Sequence, residues 1–242
     1  MAEKMSDGVL YVIGTPIGNL MDISLRAIET LEKIDVLFCE DSRVSSKLIN
    51  FLLTKNLISK KPRYIPYNEF NEDRIFDQLV QMVAGGNKVG LVSDAGMPAI
   101  SDPGYIAIRA CIDANLAVQV IPGPTALTTA LPYSGVGGEI ALYLGFLPKT
   151  SGKAIKILES AKSMIDSIDS TRIVLYVSPH RLLKDLVHIE AVFGPTTHCV
   201  LFRELTKQFE ERVEGTIAEL IEKYTKVKVR GELVLVLGKS RD

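Results

Sequence analysis

The chain has 242 residues, of which 47% are hydrophobic and 24% are charged. This composition is typical of a folded globular protein with one or two domains, and it excludes extensive disorder. The net charge of -1 excludes a globally basic nucleic-acid-binding protein, so an RNA partner would have to meet a local basic patch. No apolar run approaches the ~18 residues of a membrane span. Residues 1–8 lack the apolar stretch of a signal peptide, so we expect a cytoplasmic protein.

The three cysteines and three histidines of the chain do not form a metal-ligating motif. Cys39, Cys111 and Cys199 are widely spaced and include no CxxC pair. The histidines form neither an HExxH nor an HxH motif. The sequence therefore predicts neither a disulfide framework nor a metal site.

Short apolar runs alternate with helical patterns in the first half of the chain. The expected buried parallel strands are residues 9–13, 36–39, 89–92 and 118–121. Residues 71–84 form the clearest amphipathic helix, with Asn71 as its expected N-cap and Gly85 at its end. This alternation of strands and helices predicts an α/β sheet with right-handed crossovers.

The pattern changes after Pro122, where hairpin-like spacing becomes more frequent. Helices are expected at about residues 125–131 and 155–168. Strands are expected at residues 140–145, 173–177, 200–202 and 233–237, and a weaker alternation predicts one at 209–213. We therefore predict a protein of class α/β with two α/β domains, residues 1–122 and 123–242, and a hinge at residues 122–124.

Four loops of unusual composition follow the predicted strands of the first half. None matches the P-loop, and the chain has no GxGxxG motif, which excludes a P-loop NTPase and disfavours a dinucleotide dehydrogenase. Ligands of open α/β sheets bind outside the carboxyl ends of the strands, so we expect one binding site there. Each loop alone also fits an ordinary turn. We call them the strand-end loops: residues 14–20 (GTPIGNL), 39–43 (CEDSR), 93–104 (SDAGMPAISDPG) and 121–127 (IPGPTAL).

Seven sequence blocks lie in order between about residue 9 and residue 237: GTPIGNL, EDSR, SDAGMPAISDPG, PGPTAL, GFLP (145–148), SPHRL (178–182) and RELTK (203–207). Together they resemble the ribosomal RNA small subunit methyltransferase I family, a branch of the tetrapyrrole methylase superfamily. The resemblance implies a tetrapyrrole-methylase-like fold that binds S-adenosylmethionine in a cleft between its two domains. It also implies a homodimer that 2'-O-methylates a cytidine in the decoding region of small-subunit ribosomal RNA.

The chain departs from the pattern of this family at three places. Met97 and Val177 stand where the family usually has Thr and Glu. The family usually has an arginine-rich stretch after GFLP, where this chain has only Lys149, Lys153 and Lys156. The first departure concerns the cofactor pocket, and the other two concern RNA binding.

Candidate cofactor-binding residues lie in the third and fourth strand-end loops. Asp94 is expected to reach the methionine ammonium or a ribose hydroxyl, beside Ala95 and Gly96, whose small size allows close approach of the backbone. Asp102 is a second candidate, with a helix N-cap as its alternative role. A Pro-Gly turn with Thr125 as N-cap is the structural alternative for the fourth loop. There the resemblance places the adenosine against Pro122, Gly123, Pro124, Thr125 and Ala126.

Attack of a ribose hydroxyl on a methyl group requires an aligned nucleophile and benefits from a general base. The sequence does not choose among five candidate bases: Glu40, Asp41, Glu69, His180 and Glu204. For His180 the alternative is a solvated helix face, because Lys184 and His188 follow it at intervals of four residues. The buried side of that helix is then expected at Leu183, Leu186 and Val187.

Cations within or beside the blocks are expected to contact phosphate groups of RNA. These cations are Arg43, Lys149, Arg181, Arg203 and Lys207. Further substrate contacts are expected from Gly14, Thr15 and Pro16, with Asn19 and Asn68 as weaker candidates.

Two other functions fit part of these observations. A small-molecule methyltransferase of the same superfamily would share the cofactor site but would need a wide apolar pocket for a porphyrin-like ring. The order of SPHRL and RELTK favours RNA over such a ring. A non-catalytic RNA- or nucleotide-binding module would keep the fold without turnover, and the presence of all four strand-end loops argues against it.

Overall fold

The computed structural model describes residues 7–168 and 170–238. These residues form two compact units, which are separated in sequence between Thr125 and Ala126. No helix among the described residues is long and apolar enough to cross a membrane.

The first unit contains a sheet of five parallel strands in the order β3-β2-β4-β1-β5. The strands are β1 (Val9–Ile13), β2 (Val36–Cys39), β3 (Arg63–Pro66), β4 (Lys88–Val92) and β5 (Ala117–Ile121). Four of them confirm the apolar runs of the sequence, whereas β3 was not predicted. Only Ile65 of its four residues is buried, and the strand ends at a proline, so it lacks a long apolar run.

Helices cover both faces of this sheet: α1 (Leu25–Lys33), α2 (Ser42–Thr54), α3 (Glu72–Ala84) and α4 (Tyr105–Asp113), with a 3-10 helix at Leu20–Asp22. Successive residues of β2 contribute to the two core layers on opposite faces of the sheet. Leu37 packs with α1 and α2, whereas Phe38 packs with α3 and α4. The strand β5 was expected to be buried, but it lies at the edge of the sheet, and 53% of Val120 is exposed.

The predicted helix α3 is confirmed, but the side chain of its expected N-cap residue does not bond to the helix. Asn71 occupies the N-cap position without a capping hydrogen bond from its side chain. Its Oδ1 accepts from the Asn68 amide at 2.8 Å, and its Nδ2 donates to the Pro66 carbonyl at 3.1 Å. Asn71 therefore stabilises the turn between β3 and α3.

The second unit contains a mixed five-stranded sheet in the order β6-β7-β10-β8-β9. Its strands are β6 (Ile140–Phe146), β7 (Thr171–Val177), β8 (His198–Arg203), β9 (Glu211–Thr216) and β10 (Leu233–Gly238). Its helices are α5 (Ala126–Ser134), α6 (Ser151–Ser167), α7 (Leu182–Phe193) and α8 (Ile217–Lys226). The pair β6/β7 is parallel, and the other pairs are antiparallel. The strand β9 begins two residues later than predicted, after Phe209, which is 66% exposed.

The predicted buried side of α7 is confirmed for Leu186 and wrong for Leu183 and Val187. Leu183 and Val187 are 38% and 50% exposed. The buried residues are Leu182, Asp185, Leu186 and Ile189. The apolar pattern misplaced the face because a carboxylate, Asp185, occupies a buried position. The helix also begins after His180, which is exposed and lies in the preceding turn.

Candidate active site

The strand-end loops of the first unit all extend from the same edge of its sheet. All five strands run in the same direction, so their carboxyl ends meet at that edge. The strands β2, β4, β1 and β5 are consecutive neighbours, which places the four loops side by side.

Backbone hydrogen bonds join three of these loops. Thr15 and Gly96 exchange two bonds, with N···O distances of 2.8 and 3.1 Å. The Gly14 amide donates to the Ile121 carbonyl at 2.9 Å. A Cβ added at Gly123 would lie 2.7 Å from the carbonyl carbon of Gly14. Gly14 and Gly123 are thus required because two backbones pack against each other, a constraint that sequence reasoning attributed to the ligand.

Acidic side chains cross-link the loops after β2 and β4. The Asp41 amide donates to Asp94 Oδ1 at 2.9 Å. The Asp94 amide in turn lies 3.4 Å from Glu40 Oε2. Three carboxylates therefore lie at the carboxyl edge of the first sheet. Within residues 7–168 and 170–238, no three His, Cys, Asp or Glu side chains are grouped to hold a metal ion.

The neighbouring acids Glu40 and Asp41 have opposite electrostatic environments. Burial, followed by the charge of Asp94, raises the pKa of the Glu40 carboxyl. Hydrogen bonds from the side chain and amide of Arg43 lower the pKa of Asp41 to about 2. The closest of these contacts joins Arg43 Nη2 to Asp41 Oδ2 at 2.6 Å. Glu40 therefore holds a proton more readily than Asp41 does.

The loop at residues 93–104 is held in an unusual backbone conformation. Ala99 and Ser101 have φ values of 64° and 61°, in the left-handed region that disfavours side chains. The helix α4 is capped by Gly104, so the alternative role of Asp102 as an N-cap is wrong. The Gly104 amide donates to Glu72 Oε2 at 3.3 Å.

Sequence reasoning missed the role of Glu72, which it assigned to the first turn of a helix. Glu72 also accepts a hydrogen bond from the buried Tyr67 hydroxyl at 3.3 Å. It therefore fixes the end of the loop at residues 93–104 from α3. Tyr67 and Gly104 lie 5 and 32 residues from Glu72 in sequence, and no local signal indicates the contact with Gly104.

Several predicted substrate residues have structural roles in the first unit. Thr15 and Pro16 are buried, and Thr15 Oγ1 lies 3.4 Å from the Ser93 carbonyl. The side chain of Asn19 caps the 3-10 helix at the Met21 amide. Asn68 Oδ1 accepts from the Phe70 amide at 3.1 Å, and its neighbour Glu69 is exposed. Exposed Arg43 remains the phosphate-contact candidate of this unit.

The fourth strand-end loop crosses the boundary between the two units. Its residues Pro122, Gly123, Pro124 and Thr125 follow β5 in the first unit. Ala126 opens α5, which belongs to the second unit. The predicted helix at residues 125–131 is therefore confirmed with a one-residue shift, and it extends to Ser134.

Three of the seven sequence blocks leave one edge of the second sheet. The strands β6, β7 and β8 run in the same direction, because β6 is parallel to β7 and both β7 and β8 are antiparallel to β10. Their carboxyl ends carry GFLP, SPHRL and RELTK, respectively. The mixed sheet therefore also gathers its motif residues at a single edge.

Carboxylates pair with most of the predicted cations at this edge. Arg203 Nε donates to Glu211 Oε2 at 2.9 Å. Lys207 Nζ lies 2.9 Å from Glu204 Oε1 and 3.0 Å from Glu232 Oε2. Burial opposes ionisation of Glu204, but hydrogen bonds from the Glu232 amide and from Lys207 outweigh it and lower its pKa. Glu204 thus joins the RELTK segment to the residue that precedes β10.

Comparisons with known proteins agree with this architecture. The family model of tetrapyrrole (corrin/porphyrin) methylases matches residues 9–221. The methyltransferase CobJ is 16% identical with a TM-score of 0.72, and the match covers 96% of this chain and 95% of that structure. Uroporphyrin-III C-methyltransferase from Thermus thermophilus, solved with S-adenosyl homocysteine, is 18% identical with a TM-score of 0.65, covering 96% and 98%. The fold is that of the tetrapyrrole methylases.

Curated relatives share higher sequence identity with this chain than these two solved structures do. Ribosomal RNA small subunit methyltransferase I of Mycoplasmopsis pulmonis is 40% identical over 228 residues, which cover 94% of this chain and 96% of the relative. The protein of the same name from Thermotoga maritima is 37% identical over 232 residues, covering 96% and 98%. The chain therefore belongs to the tetrapyrrole methylase family and, within it, to the ribosomal RNA small subunit methyltransferase I family. This confirms the family and the α/β fold class expected from the sequence.

Proposed function

We propose that this chain transfers a methyl group from S-adenosylmethionine to the ribose 2'-hydroxyl of a cytidine in small-subunit ribosomal RNA. The observation that carries this proposal is the identity of 37–40% with relatives of that name, over at least 94% of this chain. The strand-end loops at one edge of the first sheet support it, because this is where open α/β sheets bind ligands.

The chemistry of the first unit fits this cofactor. S-adenosylmethionine carries positive charge on its ammonium and sulfonium groups. Glu40, Asp41 and Asp94 place three carboxyl groups at the same edge, which favours a cationic ligand. Asp94 is the proposed partner of the ammonium or of a ribose hydroxyl. Ala95, Gly96, Asp102 and residues 122–126 complete the proposed cofactor site.

Glu40 is the proposed general base. When bound, the cofactor supplies an electrophilic methyl group. Glu40 would accept the proton of the 2'-hydroxyl as the ribose oxygen bonds to the methyl carbon, while the bond of that carbon to sulfur breaks and S-adenosyl homocysteine leaves. Its raised pKa suits proton uptake, whereas Arg43 stabilises the ionised form of Asp41 and Lys207 that of Glu204. The remaining candidates, Glu69 and His180, are both exposed.

The RNA is proposed to meet exposed cations rather than a uniformly basic surface. Arg43 is 87% exposed beside the strand-end loops, and Lys149 is exposed after GFLP. Arg43 is paired with Asp41, and Arg203 and Lys207 are paired with other carboxylates, so each becomes a phosphate contact only if its pair opens. We further propose that the protein acts in the cytoplasm as a homodimer.

Methyl transfer from labelled cofactor tests the proposed function. Small ribosomal subunits and naked ribosomal RNA, both from cells that lack the gene, are incubated with the protein. The expected result is label on one cytidine ribose of small-subunit RNA. A porphyrin-type tetrapyrrole serves as the competing acceptor. Label in the tetrapyrrole and in neither RNA would replace this function with small-molecule methylation.

A further inference from the structure

Arg181 is held by several polar contacts within the described residues of the second unit. Its Nη1 donates to the Leu147 carbonyl at 2.7 Å, and its Nη2 donates to the Pro148 carbonyl at 2.9 Å. Nη2 also donates to Asp185 Oδ1 at 2.8 Å. The side chains of Arg181 and Asp185 are 21% and 4% exposed. This guanidinium therefore donates hydrogen bonds to two backbone carbonyls and a buried carboxylate.

The next residue of the GFLP segment is held from the same helix. Lys184 Nζ donates to the Lys149 carbonyl at 3.3 Å. The carbonyls of residues 147, 148 and 149 thus all accept hydrogen bonds from cations in or beside the first turn of α7. This contact fixes the chain immediately before α6, which begins at Ser151.

The fixed chain leads directly into the basic start of α6. We call Lys149, Lys153 and Lys156 the lysine segment. Pro148 lines a groove of about 450 Å³ together with mostly apolar side chains of β6 and α6. Among the described residues, the charged side chains that line it are Lys153 and Lys156. Their ammonium groups suit the phosphate backbone of RNA.

We propose that Arg181 is a positioning residue, which holds the lysine segment for contact with RNA phosphate and does not itself bind phosphate. This inference rests on the proposed RNA substrate. The planar guanidinium is essential to the role, because a lysine ammonium cannot reach two carbonyls and a carboxylate in the same fork geometry. Asp185 has a supporting role, because it accepts a hydrogen bond from the guanidinium and orients it.

Charge-conserving variants separate this role from direct phosphate binding. Arg181→Lys and Asp185→Asn should each raise the apparent KM for small-subunit RNA, by roughly tenfold for the loss of a hydrogen bond to a charged group. The KM for S-adenosylmethionine should not change. The slope of RNA binding against salt should fall in both variants, because displacement of the lysine segment weakens its phosphate contacts.

Direct phosphate binding predicts the opposite pattern. Arg181→Lys and Asp185→Asn would then leave the KM for RNA and the salt slope unchanged, and only Arg181→Gln would lower that slope, by roughly one counterion. That outcome overturns the proposal. The control is the exposed pair of Arg109 and Asp113 in α4, which has the same spacing of four residues. Arg109→Lys and Asp113→Asn should change neither KM.

Hydrogen exchange gives a readout that does not depend on the substrate. The Ala154 amide donates to the Thr150 carbonyl in the first turn of α6. Without RNA, Arg181→Lys should accelerate exchange of this amide while leaving exchange in α4 unchanged. Unchanged exchange would overturn the positioning role. Failure of the parent protein to methylate any RNA would instead overturn the proposed function.

Discussion

The two sheets of this protein gather their sequence blocks in the same way but use them differently. Each sheet presents its motif-bearing loops at one edge, because the strands that precede them run in one direction. In the first unit, backbone-to-backbone bonds join the loops, and Glu40 is left with a raised pKa. In the second unit, Arg203 and Lys207 pair with carboxylates, and Arg181 donates to two backbone carbonyls and a carboxylate. The presence of a residue in a sequence block therefore does not show whether it contacts a ligand or supports the fold. The hydrogen-bond and ion-pair partners of its side chain distinguish the two roles.

The largest expected effect concerns Glu40. If it is the general base, Glu40→Gln should lower kcat by about 10²- to 10⁴-fold. A raised pKa means that the folded protein stabilises the protonated form, and this stabilisation is lost as pH rises through the folded pKa. The variant should therefore be at least as stable as the parent at neutral pH. Measuring kcat and melting temperature together tests this, and unchanged turnover would remove Glu40 from the mechanism.

The second prediction tests the contact between the loops after β1 and β5. Gly123→Ala would place a Cβ 2.7 Å from the backbone of Gly14, where no flexible side chain can move away. We expect a loss of about 1–3 kcal/mol in the free energy of unfolding, as in overpacked cores, together with weaker cofactor binding. Gly152→Ala is the matched control, because nothing lies within 4 Å of its added Cβ. Denaturant titration compares them, and equal stability of Gly123→Ala and the parent would contradict the tight contact.

A third variant tests the structural role assigned to the RELTK block. Glu204→Gln weakens the bond to Lys207 and should reduce the free energy of unfolding by about 1 kcal/mol, while kcat is unchanged. Glu222→Gln removes an exposed pair with Lys226 and serves as the control. Normal stability of Glu204→Gln with lost turnover would instead make Glu204 a catalytic residue and would break the distinction between the two units.

The smallest expected effect is the dependence of stability on the ion pair between Asp41 and Arg43. The pKa of Asp41 is lowered to about 2, so this pair stabilises the fold above the ordinary pKa of the acid and is lost as pH falls through about 2. Asp41→Asn keeps an amide oxygen for the cap of α2. It should lower the melting temperature slightly at pH 7, and the difference should vanish near pH 2. A difference that does not depend on pH would exclude the ion pair as its cause.

The sequence was sufficient to predict the edge of the first sheet but not its internal contacts. Apolar runs located β1 and β4, and parallel strands required their loops to meet. The contact of Gly14 with Gly123 joins segments more than a hundred residues apart, so no local pattern indicates it. The sequence also gives no sign of the contacts of Arg181, because two of its acceptors are backbone carbonyls, which every residue carries.

Calorimetric titration with S-adenosyl homocysteine tests most directly whether the first unit binds the cofactor through Asp94. Asp94→Asn keeps an acceptor for the Asp41 amide but loses the charge. We expect its Kd to rise roughly ten- to a hundredfold, as for a lost hydrogen bond to a charged group, while Asp102→Asn changes the Kd much less. Equal affinity of Asp94→Asn and the parent protein would contradict the proposed cofactor site.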